Sequence, residues 1–367
     1  MNYWYQIENV EQIDTPALVA YPERIAANIE LAKQITGNID NFRPHVKTNK
    51  TKEVCQMMIN AGISKFKCAT IAEAEMLALS GAPDIMLAYQ PAGIKISRLI
   101  HLMKAYPESH FSCIVDDAEN ASHIDRLCRK ENVTLDVYID LNVGMNRTGI
   151  NPLNAPDLAK TIQSLKNIRL AGLHGYDGHI TETDITHRKA QANVAYAAID
   201  SLCSHIQPMF PYPLKLVVGG TPTFPIHARR ANCECSPGTF VFWDWGYKHK
   251  FPDMPFEYAA LVICRIISII DRHHVCVDLG HKSVAAENPL PRVYFLNFPE
   301  ATPVAQSEEH LVLNVPDSGV FSIGQEFYGV PKHICPTVAL YDKVFVIENG
   351  KMNGTWKVVG RDRSISF

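Results

Sequence analysis

The sequence of 367 residues contains no apolar run that approaches the roughly 20 residues of a membrane-spanning helix. Its longest apolar stretch, YAALVICRIISII, is interrupted by Arg265 and predicts a buried strand instead. The first residues, MNYWYQIENVEQIDTP, lack the charged segment and the following apolar segment of a signal peptide. We therefore expect a cytoplasmic protein without a membrane partner.

An excess of positive charge is missing as well. The 35 Lys and Arg residues are outnumbered by 38 Asp and Glu residues, which gives a formal net charge of -3. This balance provides no electrostatic basis for binding nucleic acid. The remaining composition, 47% hydrophobic and 20% charged, is that of a globular protein, and the length predicts about two domains.

Closely spaced cysteines are scarce. Ten cysteines are spread along the chain, and Cys233 and Cys235 form a Cys-x-Cys pair. A zinc site built on this pair would need further ligands, and no second pair stands nearby. We expect most of the cysteines to be small core residues of a protein from a reducing compartment.

Short β-rich runs alternate with helical patterns from residue 17 to about residue 220. The strand runs are ALVAY, FRPHVK, KFKCAT, DIMLAY, HFSCIV, TLDVYIDL, IRLAGLHGY and LKLVVGG. These runs are largely apolar, as parallel strands that are buried on both faces should be. Eight such units predict a (β/α)8 TIM-type barrel rather than an open sheet.

After about residue 250 the helical patterns give way to strands separated by Pro, Gly, Asn and Asp, and ENGKMNGTW predicts a turn between two of them. A second, mainly antiparallel β domain is therefore expected. The predicted domains are a barrel over residues 14–250 and a β domain that consists of residues 251–367 together with residues 1–13.

Barrel enzymes place their chemistry at the C-terminal ends of the strands. The side chains expected there are Lys47, Gln90, Asn142, Arg147, His174, Tyr176, Asp177 and His179. Lys47 follows the buried-looking Val46, and a lysine in an apolar pocket gives up its proton more readily. The alternative is an ordinary solvated strand end.

Two loops rich in small residues predict a phosphate site. GGTPT contains Gly219, Gly220 and Thr221 after the last predicted barrel strand, where phosphate sites recur, and an ordinary turn is the alternative. CSPGTF adds Ser236, Gly238 and Thr239 as further donors.

A lysine at one strand end and a phosphate cradle at another predict pyridoxal 5'-phosphate, whose aldehyde and phosphate need both. Arg147 would contact the cofactor ring or form a structural salt bridge. Tyr176 would bond to or stack on the ring, or be a packed aromatic.

The segment GVPKHICPTVALYD contains a possible metal pair. His333 and Cys335 are two residues apart, so on a strand they would point to the same face. An imidazole and a thiolate suit zinc, and water and substrate could complete an open catalytic site.

Six segments taken together resemble the D-threonine aldolase and D-serine dehydratase family of pyridoxal-phosphate enzymes with the alanine-racemase-like fold. They are DTPALVAYPERIAANI, RPHVKTNK, MNRTG, GGTPT, SEEHLVL and HICPTVALYD. The resemblance extends from about residue 14 to residue 342. It implies a lyase that acts on D-3-hydroxy amino acids and is a homodimer.

The resemblance also implies the site residues. Lys47 would hold the cofactor as a Schiff base, with Arg147 and Tyr176 near its ring. Its phosphate would bind at Gly219, Gly220, Thr221, Gly238 and Thr239, and a divalent metal, zinc or manganese, at His333 and Cys335. The metal would assist either aldol cleavage or dehydration. The His-x-Cys pair suits zinc and therefore slightly favours dehydration.

The chain departs from the family pattern at three points. Asn49 replaces the usual histidine, Ser236 stands where alanine racemases have an arginine, and GYDGHI is not the commonest form of its loop. The alternative functions are an amino-acid racemase of the alanine racemase type, which would need no metal, and a non-catalytic pyridoxal-phosphate-binding protein.

Overall fold

The computed structural model describes residues 3–367, and the chain folds as two compact units. The barrel unit contains Ala32–Lys47, Cys55–Gly238 and Asp362–Phe367. The β unit contains the chain up to Leu31, together with Thr48–Val54 and Thr239–Arg361. The expected barrel spanned residues 14–250, whereas here the β unit includes the chain up to Leu31, the segment Thr48–Val54 and the chain from Thr239.

The secondary structure is as follows. The strands are β1 (Ala17–Ala20), β2 (Lys65–Cys68), β3 (Asp84–Leu87), β4 (His110–Val115), β5 (Leu135–Leu141), β6 (Ile168–Gly175), β7 (Lys215–Val218), β8 (Cys233–Cys235), β9 (Ala260–Asp271), β10 (His274–Val277), β11 (Val293–Phe295), β12 (Thr302–Gln306), β13 (Leu311–Asn314), β14 (Glu326–Pro331), β15 (Lys343–Glu348) and β16 (Lys351–Lys357). The helices are α1 (Pro22–Thr36), α2 (Lys52–Asn60), α3 (Ile71–Leu79), α4 (Ile94–Ala105), α5 (Ala118–Lys130), α6 (Ala155–Ser164), α7 (Ile185–Ile206), α8 (Phe224–His227), α9 (Trp245–Lys250) and α10 (Ile334–Val338). Single 3-10 turns lie at Val10–Gln12, Ile39–Asn41, Gln207–Met209, Thr239–Val241, Ser318–Val320 and Val359–Arg361. Within residues 3–367, none of the helices combines the length and the apolar character needed to cross a bilayer.

The parallel sheet of the barrel unit runs from β2 to β8 in chain order, with a helix between each pair of successive strands. The extended segment 42–46 bonds to both edge strands of this sheet. Arg43 N donates to the carbonyl of Cys235 in β8 at 2.9 Å, and Val46 N donates to the carbonyl of Lys67 in β2 at 2.9 Å. The segment therefore occupies the position between β8 and β2. The predicted barrel class is confirmed.

The prediction that ALVAY forms the first barrel strand was wrong. The run ALVAY forms β1, which pairs with β9 and β15 in the β unit. The run FRPHVK takes the first barrel position and CEC, as β8, the last. A short apolar strand that is buried on both faces looks the same in either sheet, so the sequence pattern could not separate these possibilities.

The two ends of the barrel strands differ in character. Five strands, β3 to β7, each contribute one buried residue to an interior cluster: Met86, Ile114, Tyr138, Ala171 and Val217. The N-terminal strand ends carry ion pairs instead. Arg43 contacts Asp84 at 2.7 Å and Glu234 at 2.5 Å, and His110 contacts Asp136 at 3.0 Å. Charges at this end contribute to stability rather than to catalysis.

The sheet of the β unit has the order β12-β13-β10-β9-β1-β15-β16, and β14 pairs with β9 and β11. The pairing is antiparallel except between β1 and β15, so the predicted mainly antiparallel domain is confirmed. The predicted turn is also present, because Asn349 (φ 50) and Gly350 (φ 75) connect β15 to β16 with the two left-handed residues of a tight hairpin.

Candidate functional site

Lys47 lies in the turn that follows the first position of the barrel. Val46 is fully buried and Lys47 is half-buried, so the core anchors the backbone directly before the lysine. Lys47 N donates to Nδ1 of His45 at 3.2 Å, which stabilises the turn. The amine is directed toward an aromatic side chain, because Nζ lies 5.5 Å from the centroid of the Tyr176 ring.

Tyr176 follows β6 and is surrounded by cations. Besides Lys47, the guanidinium carbon of Arg147 lies 4.9 Å from the ring centroid, and Nζ of Lys67 lies 5.9 Å from it. The structure thus brings together the predicted Lys47, Arg147 and Tyr176 and adds Lys67. Cations are attracted to an aromatic face, and three of them together favour an anionic ligand.

The loop after β5 is shaped by Asn142. Its Oδ1 accepts from the backbone N–H groups of Gly144 and Asn146, each at 3.1 Å. Asn146 adopts a positive φ of 52, directly before Arg147. Asn142 therefore shapes the loop that carries Arg147, and the sequence had placed it only at the strand end.

A buried polar chain in the barrel connects His174, which was expected at a strand end, to Lys67 and Asp140, which the sequence did not single out. Nζ of Lys67 lies 3.3 Å from Nε2 of His174, whose Nδ1 lies 2.6 Å from Oδ1 of Asp140. Thr148 donates to the other oxygen of Asp140 at 3.0 Å. Burial, followed by the charge of Lys47, lowers the pKa of Lys67 to about 7. Burial and the charge of Lys67 likewise lower the pKa of His174.

The two glycines of the GGTPT loop pack so closely against neighbouring rings that a side chain at either position would clash. Gly219 has a φ of 78, and a Cβ there would lie 2.8 Å from the ring of His227. A Cβ at Gly220 would lie 2.9 Å from the ring of Tyr176. Glycine at these positions therefore lets the loop backbone approach the rings closely. The loop places Gly220 directly beside the aromatic ring that the three cations surround.

The second predicted loop contacts the first. Gly238 N donates to Oγ1 of Thr221 at 3.0 Å, so these two predicted phosphate residues lie together in the barrel unit. Oγ of Ser236 is buried and has no hydrogen-bond partner among residues 3–367. A buried hydroxyl without a partner is uncommon in proteins, and a bound phosphate oxygen would satisfy it. This observation and the clash at Gly220 fit a phosphate-bearing cofactor.

The remaining strand-end residues have structural partners. Asp177 accepts from Oγ1 of Thr223 at 2.8 Å and lies 2.8 Å from Nε2 of His227, and these contacts stabilise the GGTPT loop. Gln90 accepts from the backbone of Asp116 at 2.8 Å. The ring of His179 packs against Gly144, where a Cβ would lie 2.7 Å from Nε2.

His333 and Cys335 do not lie on a strand, so the predicted geometry was wrong. Strand β14 ends at Pro331, His333 is the N-cap of α10, and Cys335 is the second residue of that helix. Oδ2 of Asp244 accepts from the buried backbone N–H of Ile334, the first residue of α10, at 3.1 Å. The cap comes from a distant part of the sequence, and the helix therefore starts where a strand pattern was expected.

The two side chains nevertheless interact. Burial would lower the pKa of His333, but a hydrogen bond and the charge of Cys335, together with Asp244 and Glu287, raise it to about 9. Nδ1 of His333 lies 2.5 Å from Oε1 of Glu287. Sγ of Cys335 lies 3.1 Å from Oγ1 of Thr48 and 3.5 Å from Oγ1 of Thr239. Thr239, which was predicted to bind phosphate, thus lies beside the thiol within the β unit.

The donor set fits a loosely held divalent ion. No cluster of three or more His, Cys, Asp or Glu side chains suited to a metal occurs in the part of the chain that the structure describes. A histidine with one ring nitrogen held by a carboxylate, next to a thiol, is the arrangement that orients a metal ligand. Two protein ligands leave the other coordination positions to water or substrate.

Cys233 and Cys235 lie on β8 and are buried free thiols. The hydrogen bond that Cys235 donates to Cys233, together with burial, holds the pKa of Cys235 well above its ordinary value, so its thiolate is disfavoured. This pair is better explained as part of the core.

Comparisons with known proteins match both parts of the chain. The family model described as "Alanine racemase, N-terminal domain" matches residues 22–242, and "Putative serine dehydratase domain" matches residues 259–347. The chain is 26% identical to a D-threonine aldolase of Arthrobacter sp, over 95% of this chain and 93% of the relative. It is 24% identical to a D-threo-3-hydroxyaspartate dehydratase of Delftia sp., over 94% and 97% of the two chains. The crystal structure of a D-threonine aldolase from Filomicrobium marinum superposes with a TM-score of 0.88 at 23% identity, covering 95% of this chain and 96% of that one.

Proposed function

Because the chain belongs to the family of the alanine racemase N-terminal domain, whose model covers residues 22–242, we propose that it is a pyridoxal-phosphate-dependent lyase. Its substrates would be D-3-hydroxy amino acids, as the names of the D-threonine aldolase and the hydroxyaspartate dehydratase suggest. The observation that carries the proposal is the convergence of Lys47, Arg147 and Gly220 on the ring of Tyr176.

The residues of the barrel unit fit the parts of this cofactor. Lys47 would bind the aldehyde carbon covalently, and Tyr176 and Arg147 would contact the ring. Gly219, Gly220, Thr221, Ser236 and Gly238 would surround the phosphate. The bound cofactor supplies an electron sink for the electron pair released when a bond at the substrate Cα breaks.

Lys47 would act twice. Its Nζ would hold the cofactor and, once free of it, would be available as a base. The freed amine can take a proton, either from Cα for dehydration or from the 3-hydroxyl group for aldol cleavage. Nζ of Lys47 lies 5.5 Å from the Tyr176 ring, so the freed amine would stay beside the side chain that is proposed to contact the cofactor ring.

His333 and Cys335 would bind a divalent cation, zinc or manganese. Glu287 holds Nδ1 of His333, which leaves Nε2 as the nitrogen that can coordinate. A divalent ion supplies Lewis-acid assistance to the departure or deprotonation of a hydroxyl group. We further propose that the protein is a homodimer, on the basis of its resemblance to the family, and that it is cytoplasmic, on the basis of its ten free cysteines, which suit a reducing compartment.

Product analysis tests the proposal and separates the two lyase reactions. The purified protein is incubated with D-threonine and with D-serine, with and without a chelator. An aldehyde and glycine from D-threonine would identify an aldolase. A 2-oxo acid and ammonia would identify a dehydratase. Interconversion of the D and L forms without cleavage would indicate a racemase and contradict the lyase proposal.

A further inference from the structure

Lys67 is a buried ammonium group whose hydrogen-bonding capacity is largely unused. The residue is 2% exposed and lies on β2 of the barrel. An ammonium carries three N–H donors. Among residues 3–367, the acceptor within hydrogen-bonding distance of Nζ is Nε2 of His174, at 3.3 Å. Two donors of a buried group are therefore left over, which is costly unless a ligand accepts them.

The carboxylates near Lys67, Asp140 and Asp177, offset the cost of its burial only in part. Lys47 and Arg147 approach the same Tyr176 ring and add positive charge. Asp140 already contacts His174 at 2.6 Å and accepts from Thr148 at 3.0 Å. Burial, followed by the charge of Lys47, outweighs the two aspartates and lowers the pKa of Lys67 to about 7. An anion bound here would offset the free-energy cost of burying the charged ammonium of Lys67.

We propose that Lys67 is an anion-binding residue of the cofactor site, which donates to an anionic oxygen beside the Tyr176 ring while His174 and Asp140 orient its ammonium. The inference rests on the proposed function and adds a ligand contact that the family resemblance did not predict. The same oxygen chemistry has two sources, the phenolate oxygen of the cofactor ring and the carboxylate of the amino-acid substrate.

The test removes the charge and measures binding rather than turnover. Lys67→Met keeps the length of the side chain without its charge, and Lys67→Gln provides a second neutral variant should the first fold poorly. The matched control is Lys95→Met, because Lys95 also approaches a tyrosine ring, that of Tyr89, at 4.3 Å on α4. Each protein is stripped of cofactor, and its fold is checked by circular dichroism.

Three probes are titrated: pyridoxal phosphate, pyridoxal without phosphate, and D-threonine on the cofactor-loaded protein, each followed by its visible absorbance. Loss of a charged hydrogen bond weakens binding by roughly 10- to 100-fold. If the ring oxygen is the ligand, both pyridoxal compounds bind more weakly to both Lys67 variants. If the substrate carboxylate is the ligand, only D-threonine does. The control should match the unmodified protein.

Unchanged affinities for all three probes in folded Lys67 variants would overturn the inference and leave the proposed function intact. Equal losses in Lys95→Met would overturn it too, because the effect would then not be specific to the buried position. Failure of the unmodified protein to bind pyridoxal phosphate would instead contradict the proposed function itself, and the inference that rests on it.

Discussion

Gly220 lies against the edge of the Tyr176 ring so closely that a Cβ on it would stand 2.9 Å from Cε2. No ordinary side chain fits in this gap without moving either the ring or the loop backbone. Gly220 is predicted to contact the phosphate and Tyr176 the cofactor ring, so a substitution at Gly220 should disturb both contacts.

Replacing Gly220 by valine should therefore weaken cofactor binding by at least about tenfold, or about 1.4 kcal/mol. The branched side chain would displace Tyr176 and block backbone approach to the phosphate. Titration of the stripped protein with pyridoxal phosphate measures the effect. Gly319→Ala is the control, because Gly319 is exposed and a Cβ there would lie 3.3 Å from an exposed aspartate oxygen. Unchanged affinity in the Gly220 variant would mean that the loop is only a turn.

Removal of the metal should abolish activity without removing the cofactor colour. A strong chelator should extract an ion held by His333 and Cys335 without unfolding the chain, since two protein ligands hold it weakly. Zinc or manganese should restore turnover. Cys335→Ala should keep the visible absorbance and lose the metal and most of the activity.

Cys203→Ala serves as the matched control, because this half-buried thiol lies on α7 and belongs to neither proposed site. Metal content by elemental analysis and turnover are measured on both variants. Full activity in metal-free protein would remove the Lewis-acid role from the account and support a packed core thiol at Cys335.

The stability of the barrel should depend on pH through His110. Its hydrogen bonds to Asp136 and Asp84 raise the pKa of His110 from 6.5 to about 9 in the folded state. The charged form is therefore favoured by folding. This stabilisation is fully present below about pH 6.5 and is lost as the pH rises through about 9.

Urea unfolding of the unmodified protein and of His110→Asn checks this expectation. The variant should be less stable at about pH 6, and the difference should vanish at about pH 10, where the histidine is neutral in both states. A difference that stays constant over this range would show that packing, rather than charge, accounts for the contribution of His110.

The sequence predicted the barrel because apolar strands alternating with helices leave few other arrangements, and it predicted the hairpin turn because Asn349 and Gly350 suit left-handed backbone. It could not assign β1 correctly. The four residues of β1 are all buried, so their pattern does not indicate which sheet they join. The strands that pair with β1 begin more than 200 residues later in the chain, at Ala260.

Lys67 was missed for a related reason. In KFKC the lysines alternate with apolar residues, which ordinarily marks a solvent-facing side of a strand. Here Lys67 is on that side and is fully buried, and its partner His174 is 107 residues away in the chain. The helix at Cys335 was missed because its first turn is capped by Asp244, 90 residues before Ile334.

The central claim is that Lys47 holds the cofactor. Borohydride treatment of the loaded protein, followed by proteolysis and peptide mass analysis, makes the cofactor–lysine bond permanent and locates it. We predict a single modified residue, Lys47, and its absence in Lys47→Ala. A modification on Lys67, the other lysine beside Tyr176, or on no lysine at all, would contradict the account.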